Sequence, residues 1–391
     1  MSDFDRIIDR SGTEAVKWQF PKSCVSEAYA NVIPMWVADL DMASPPAVVE
    51  AIRGRAGHPV YGYAGKSAEF YEAYISWMNG RYGVEVDRRW LAFSPGIVPA
   101  IATAIRACTK PGDGVVITPP VYHPFRRLIE DNGRTVVEAP LVVRGGRYEL
   151  DLDALDAACA RSRLLVFCSP HNPVGRVWSA DELREVGRVA MRRDVIVIAD
   201  EIHADLVFAP STLVSMLGLD AGLQSRLIAC WAPSKTFNIA GLQVSYIAVP
   251  DDGLRAAFDR ENAAAGLGSP NCIAGAAAIA AYRHGGPWLD ELIPYLQGNY
   301  AYLAAELSRR APLIKVYPCE GTYLAWIDFR GAGLHGDTGA EIISRAGLWL
   351  DAGSKFGPGG EGFARLNFGC PRSVVVEAVE RLVKAFGGGR P

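Results

Sequence analysis

The chain has 391 residues, half of them hydrophobic and 21% charged, with a formal net charge of -3. This balance suits a folded globular protein and offers no electrostatic pull toward nucleic acid or an anionic membrane. Eight scattered cysteines include no CxxC pair, which argues against a metal finger and reads as reduced thiols in the cytoplasm.

The chain opens Met1-Ser2-Asp3-Phe4-Asp5, without the basic and apolar regions of a secretory signal. From about residue 45 to 285, short apolar runs alternate with helical patterns. The runs cover residues 114–118, 135–139, 164–169, 195–200, 227–232 and 244–249. They are rich in Val and Ile and nearly uninterrupted, as expected of strands covered on both faces. Helical segments between several of them, such as 181–192, supply the crossovers of a mainly parallel α/β sheet. The longest apolar stretch, 272–282, is too short and too rich in Ala and Gly to span a bilayer. After Gly286 the texture changes to a long helix pattern (288–310), a strand-like 322–329, a helix near 337–346, a strand-like 364–368 and a last helix from Arg372. The expectation is a large α/β domain over 45–285 and a smaller α+β domain made from 1–44 and 286–391.

Functional residues of open α/β sheets gather at the carboxyl ends of strands. Here those ends carry Ser169-Pro170-His171-Asn172-Pro173-Val174-Gly175, Asp200-Glu201-Ile202-His203 and Ala232-Pro233-Ser234-Lys235-Thr236-Phe237-Asn238. Earlier, Ser94-Pro95-Gly96-Ile97-Val98 leads into a helix pattern and Pro119-Pro120-Val121-Tyr122 follows a run. Each tail has a plain structural reading. Lys235 suits a solvated surface, Asp200 a cap, Asn172-Pro173 a turn, Gly96 punctuation and Tyr122 the core. Asp200, Glu201, His203 and Asp205 also suit a hard-metal site, though three carboxylates and an imidazole in six residues are weak evidence for one. Taken together, in this order and at strand ends, the tails point to a site.

These motifs, with Pro34-Met35-Trp36-Val37-Ala38-Asp39-Leu40-Asp41, Tyr61-Gly62-Tyr63 and Arg365-Leu366-Asn367-Phe368-Gly369-Cys370-Pro371, resemble fold-type I pyridoxal-phosphate enzymes, the aminotransferase superfamily. Within it the likeness is to the MalY/PatB group of cystathionine β-lyases and carbon–sulfur lyases. The resemblance implies a PLP-dependent transferase-like fold with pyridoxal 5'-phosphate held as a Schiff base on Lys235. It places Asp200 beside the pyridine nitrogen, Asn172 and His203 at the phenolate oxygen, and Tyr122 stacked on the ring. It assigns the phosphate to Gly96, Ile97, Val98 and Ser234, with Tyr63 reaching it from a second subunit of a homodimer. Arg365 would clamp the substrate α-carboxylate, with the backbone at Ala38 lining the same pocket. Eight residues after the lysine, where typical aminotransferases carry a phosphate-binding arginine, this chain has Gln243.

The implied activity is α,β-elimination from L-cystathionine or a related cysteine S-conjugate, giving a thiol, pyruvate and ammonia. An aminotransferase acting on a small or aromatic amino acid is the alternative. A PLP-binding regulator is a further one, disfavoured because Trp36-Val37-Ala38-Asp39 comes too early for a preceding DNA-binding domain. The expected partners are a small amino-acid substrate and a second copy of the chain, with no nucleic acid, membrane or metal.

Overall fold

The computed structural model describes residues 3–19 and 31–388. Seven strands form the main sheet: β1 (Leu91–Ser94), β2 (Gly114–Ile117), β3 (Thr135–Glu138), β4 (Leu164–Cys168), β5 (Ile196–Asp200), β6 (Leu227–Trp231) and β7 (Ser245–Ala248). Their order is β1-β7-β6-β5-β4-β2-β3. The five strands from β6 to β3 are parallel, and β7 runs antiparallel to both of its neighbours. All six apolar runs are strands of this sheet. The seventh strand, β1, lies between the short turn Arg88–Trp90 and the helix that begins at Ile97, and it was not among the six runs.

The unbroken apolar runs are two alternations laid on one strand. Along β4, Leu165 and Phe167 pack into one core, while Leu164, Val166 and Cys168 pack into another on the opposite face. Along β6 the division repeats, with Leu227, Ala229 and Trp231 on one side and Ile228 and Cys230 on the other. Successive side chains of a strand point to opposite faces, so a sheet covered twice needs an apolar residue at every position. The smaller core is closed by Ile97, Ala100, Ile101, Ala104 and Ile105 of the helix Ile97–Cys108, an i, i+3, i+4 stripe. The larger core takes the helices Ala68–Tyr82, Ala180–Arg193 and Cys272–His284. Ser179 and Glu182 begin the second of these with a reciprocal capping box.

Beyond residue 286 a helix of 25 residues, Gly286–Arg310, leads into a second sheet. Its strands are β8 (Lys315–Val316), β9 (Leu324–Asp328), β10 (Asp351–Ala352) and β11 (Phe363–Asn367), in the order β8-β9-β11-β10 and antiparallel throughout. The N-terminal part joins this layer: Ile33–Pro34 pairs in parallel with Leu348–Trp349, and Trp36 stacks on Trp349 with ring centroids 4.8 Å apart. Among the described residues no helix is long and apolar enough to cross a membrane.

Candidate active site

Cys168 of β4 stands beside Asp200 of β5, and Asp200 beside Cys230 of β6. The three strands end level, so their tails leave the sheet side by side. They open into a cavity of about 450 Å³. Asn172, Asp200, His203, Ser234, Lys235 and Tyr122 line it, with Gly96, Ile97 and Val98 from the start of the helix Ile97–Cys108 and Ala38 and Arg365 from the second layer. Of the residues expected at the site, Tyr63 alone lies elsewhere. It is fully exposed, in the extended segment between the helices Pro46–Ala56 and Ala68–Tyr82.

The tails form a floor whose charges have been stripped of water. Burial pushes the Asp200 carboxyl up to about 6, against a bond from the Ile202 N–H (3.2 Å) and the pull of Lys235. Burial likewise brings the Lys235 ammonium down to about 8, with Asp39 opposing and Arg365 adding to the shift. His203 is held well below its ordinary range by burial, Lys235 and Arg365, so its imidazole is neutral at pH 7. Its Nδ1 is buried and unpartnered. Lys235 donates to the Ala38 carbonyl, which also accepts from Tyr323 (3.0 Å). Glu201 and Asp205 do not join this set. Glu201 accepts from Ser215, Trp231 and the Met216 N–H, and Asp205 from Trp77, Tyr82 and Thr236.

The start of the helix Ile97–Cys108 forms part of the lining. Gly96 caps it at φ +111°, a conformation other residues rarely adopt, and no side chain caps the first turn. Its backbone N–H groups suit an anion. Gln243 lines the cavity too, in a left-handed conformation (φ 55°).

Another part of the lining is a wall of paired charges. Arg365 donates to Asn172 Oδ1 (3.0 Å), the Trp36 carbonyl (2.7 Å) and Asp351 Oδ2 (2.9 Å), while its Nε is buried without a partner. The segment 36–41 beside it is pinned from two sides. Asn367 donates to the carbonyls of Val37 and Asp39, both at 2.6 Å. Arg10 and the buried Lys17 each bridge Asp39 and Asp41. Burial works against charge on Asp39, yet Arg10 and Lys17 hold its carboxyl below the usual range.

Sequence reasoning did not single out Asp351, His123, Val16 or Cys168, which also line the cavity. Asp351 becomes visible only through the strand register, which sets it opposite Arg365. His123 adjoins Tyr122 and was within reach of the same motif.

The model of the family "Aminotransferase class I and II" matches residues 30–382. Cystathionine beta-lyase PatB of Bacillus subtilis (strain 168) is 39% identical, over 98% of this chain and 100% of its own. Protein MalY of Escherichia coli (strain K12) is 33% identical, over 99% of each. The crystal structure of cystalysin from Treponema denticola, which contains a pyridoxal 5'-phosphate cofactor, is 35% identical over 98% of both chains and superposes with a TM-score of 0.95. A likeness that spans the whole fold, with the family model running from the pinned N-terminal segment to the last helix, leaves one conclusion: this chain is a member of the class I and II aminotransferase family.

Proposed function

We propose that this chain is a pyridoxal-phosphate-dependent carbon–sulfur β-lyase, cleaving L-cystathionine or a related cysteine S-conjugate to a thiol, pyruvate and ammonia. The observation that carries the reading is the near-full-length identity to cystathionine beta-lyase PatB, combined with a cavity that sets Lys235, Asp200 and Arg365 around one space. Support for the cofactor comes from the chemistry of the lining. An uncapped helix start suits a phosphate, and the buried Asp200 suits a protonated ring nitrogen, which would return its carboxyl to the ionised form. The orphaned Nδ1 of His203 suits a ring oxygen.

Lys235 would hold the cofactor covalently through Nζ, Tyr122 would cover its ring, and Asn172, with Oδ1 already taken by Arg365, would offer its amide N–H groups. Once bound, pyridoxal phosphate supplies an electron sink for the pair left when Cα loses its proton. Arg365 orients the substrate through its carboxylate, so that the Cα–H bond faces Lys235. Lys235, freed when the substrate's amino group takes its place on the cofactor and with its amine brought toward neutrality by burial, would then take the α-proton at Nζ. The thiolate would then depart from Cβ with its electron pair, and water would hydrolyse the remaining three-carbon fragment to pyruvate and ammonia.

The test is product analysis on L-cystathionine and S-alkyl cysteines. Pyruvate, ammonia and free thiol should appear without any keto acid. Product that appears only when a keto acid is supplied would establish the aminotransferase alternative instead. The glutamine at 243 supports elimination, since the charge-assisted contact typical of transaminases is missing there.

The exposed Tyr63, flanked by exposed Val60 and Tyr61, supports a homodimer in which Tyr63 reaches the partner's phosphate. Mixing Tyr63→Phe with Lys235→Ala subunits should restore activity, because one site of each mixed dimer then carries neither lesion. No recovery despite proven exchange places Tyr63 in its own subunit's site. The division into a 45–285 domain and a smaller one from 1–44 and 286–391 is supported by the pairing of Ile33–Pro34 with Leu348–Trp349. A cytoplasmic location fits a chemistry based on free thiols.

A further inference from the structure

A guanidinium presents its N–H groups in a planar fork, and two of its edges can hold a carboxylate through a pair of parallel bonds. One edge is Nε with Nη2 and the other is Nη1 with Nη2, so both need Nη2. In this chain both hydrogens of Arg365 Nη2 are committed, one to the Trp36 carbonyl (2.7 Å) and one to Asp351 Oδ2 (2.9 Å). Nε, on the same side edge, is buried and has no acceptor. Half of the edge that should grip a substrate carboxylate is therefore open, and the other half is held partly by a carboxylate of the protein.

Trp36 and Asp351 are not equally able to yield. The Trp36 carbonyl belongs to a backbone fixed by the Trp36–Trp349 stack and by the bond from Asn367 to the next carbonyl. Asp351 is a side chain with a second cation at hand. Its Oδ1 accepts from Lys355 Nζ at 3.0 Å, and His123 Nε2 lies 3.9 Å from Oδ2. Lys355 is about half exposed, whereas Arg365 and Asp351 are each 3% exposed. Asp351 thus stands between a buried cation that the substrate needs and an outer cation that it does not.

We propose that Asp351 is the resident occupant of the carboxylate place on Arg365, and that a substrate α-carboxylate binds by exchange. The incoming group takes the Nε–Nη2 edge while Asp351 withdraws to Lys355 and His123. The exchange keeps charge matched in both states. Arg365 is never buried without an anion, and Asp351 is never left without a cation, either of which would be strongly unfavourable. Asp351 is then a specificity-determining residue: an amine that lacks the α-carboxylate has nothing to offer in exchange, and Arg365 stays occupied. This inference rests on the lyase reading only for the identity of the substrate, since any amino acid held by Arg365 must make the same exchange.

Propionate, a carboxylate with no amino group, tests the exchange by calorimetric titration of the holoenzyme without turnover. Asp351→Asn keeps an acceptor in place but removes the competing charge, so propionate should bind more tightly, on the order of tenfold. Lys355→Met takes away the cation that receives Asp351, so propionate should bind more weakly, about threefold. A residue that only braces Arg365 would give weaker binding in Asp351→Asn, and that result overturns the proposal. Unchanged or tighter binding in Lys355→Met overturns it as well, and this half-exposed position keeps the test available if Asp351→Asn does not fold. The two readings fail separately. Normal elimination with the wrong signs removes the exchange alone, and the right signs without thiol release remove the lyase reading alone.

Discussion

On the floor of the cavity Asp200, His203 and Lys235 are held away from water with few polar partners, whereas Arg365 and Asp351 on its wall, and Asp39, Asp41, Lys17 and Arg10 in the segments adjoining it, are held chiefly by ion pairs with one another. The floor grows out of parallel strands that end level in a twice-covered sheet. The wall is assembled from a short antiparallel sheet, an extended N-terminal segment and long-range ion pairs. Burial moves the floor groups toward neutrality, the condition for a group that must accept a proton or wait for a cationic ring. Ion pairing fixes the wall groups in place, the condition for holding an ionic substrate still. The floor is built for chemistry and the wall for position, and substitutions in each should fail in different ways.

The largest effect belongs to the floor. Lys235→Ala should lower kcat on the order of 10^4-fold, the span expected when the residue that moves the proton is removed. Borohydride treatment should then fix no cofactor to the chain, whereas in the unaltered protein peptide mapping should find it on Lys235. Reduced cofactor on another lysine would break the assignment.

Asp200→Asn, also on the floor, should leave pyridoxal phosphate bound but lower kcat by about 10^2–10^3-fold with little change in KM. Full turnover in this variant would mean that another group keeps the ring nitrogen protonated.

The wall should answer through binding. Arg365→Lys keeps the charge but loses the fork, and KM for the amino acid should rise on the order of 10–10^2-fold while kcat falls less. A fall in kcat alone, with KM unchanged, would erase the distinction between floor and wall.

The two regions also differed in how far they could be read from the sequence. The floor was legible because its residues sit in contiguous tails behind apolar runs, and the sheet rule says where such tails converge. Asn172, Asp200, His203 and Lys235 needed no knowledge of which strand lies beside which. The six runs were equally clear, because burial on both faces writes itself as unbroken Val and Ile. Of the wall, Arg365 and Ala38 were reached only through family resemblance. Asp351 was not reached at all, since its place depends on the register of a two-residue strand against β11. The same holds for Arg10 and Lys17, whose partners lie 22 to 31 positions along the chain. Ion pairs between irregular segments carry no periodic pattern.

The smallest effect tests whether burial alone sets the floor. In protein stripped of pyridoxal phosphate, the folded Asp200 carboxyl titrates near 6, while in the unfolded chain it titrates near 3.8. Between these values the folded state keeps a proton that the unfolded state has lost, so this group's contribution to stability falls as pH rises from about 4 to about 6. Below that window both states are protonated and above it both are ionised, so the contribution is flat outside it. The slope of the whole protein cannot isolate this, because His203 and His171, buried and neutral, contribute with the opposite sign over much of the same range. The difference between Asp200→Asn and the unaltered protein can. Measured by urea unfolding at a series of pH values, the variant should gain on the unaltered protein by on the order of 2 kcal/mol from pH 4 to pH 7. With pyridoxal phosphate bound to both, a cationic ring nitrogen would favour the ionised carboxylate, and the gain should shrink or reverse. A flat difference in the stripped proteins would show that Asp200 is already ionised by some local partner, and that burial does not govern the floor.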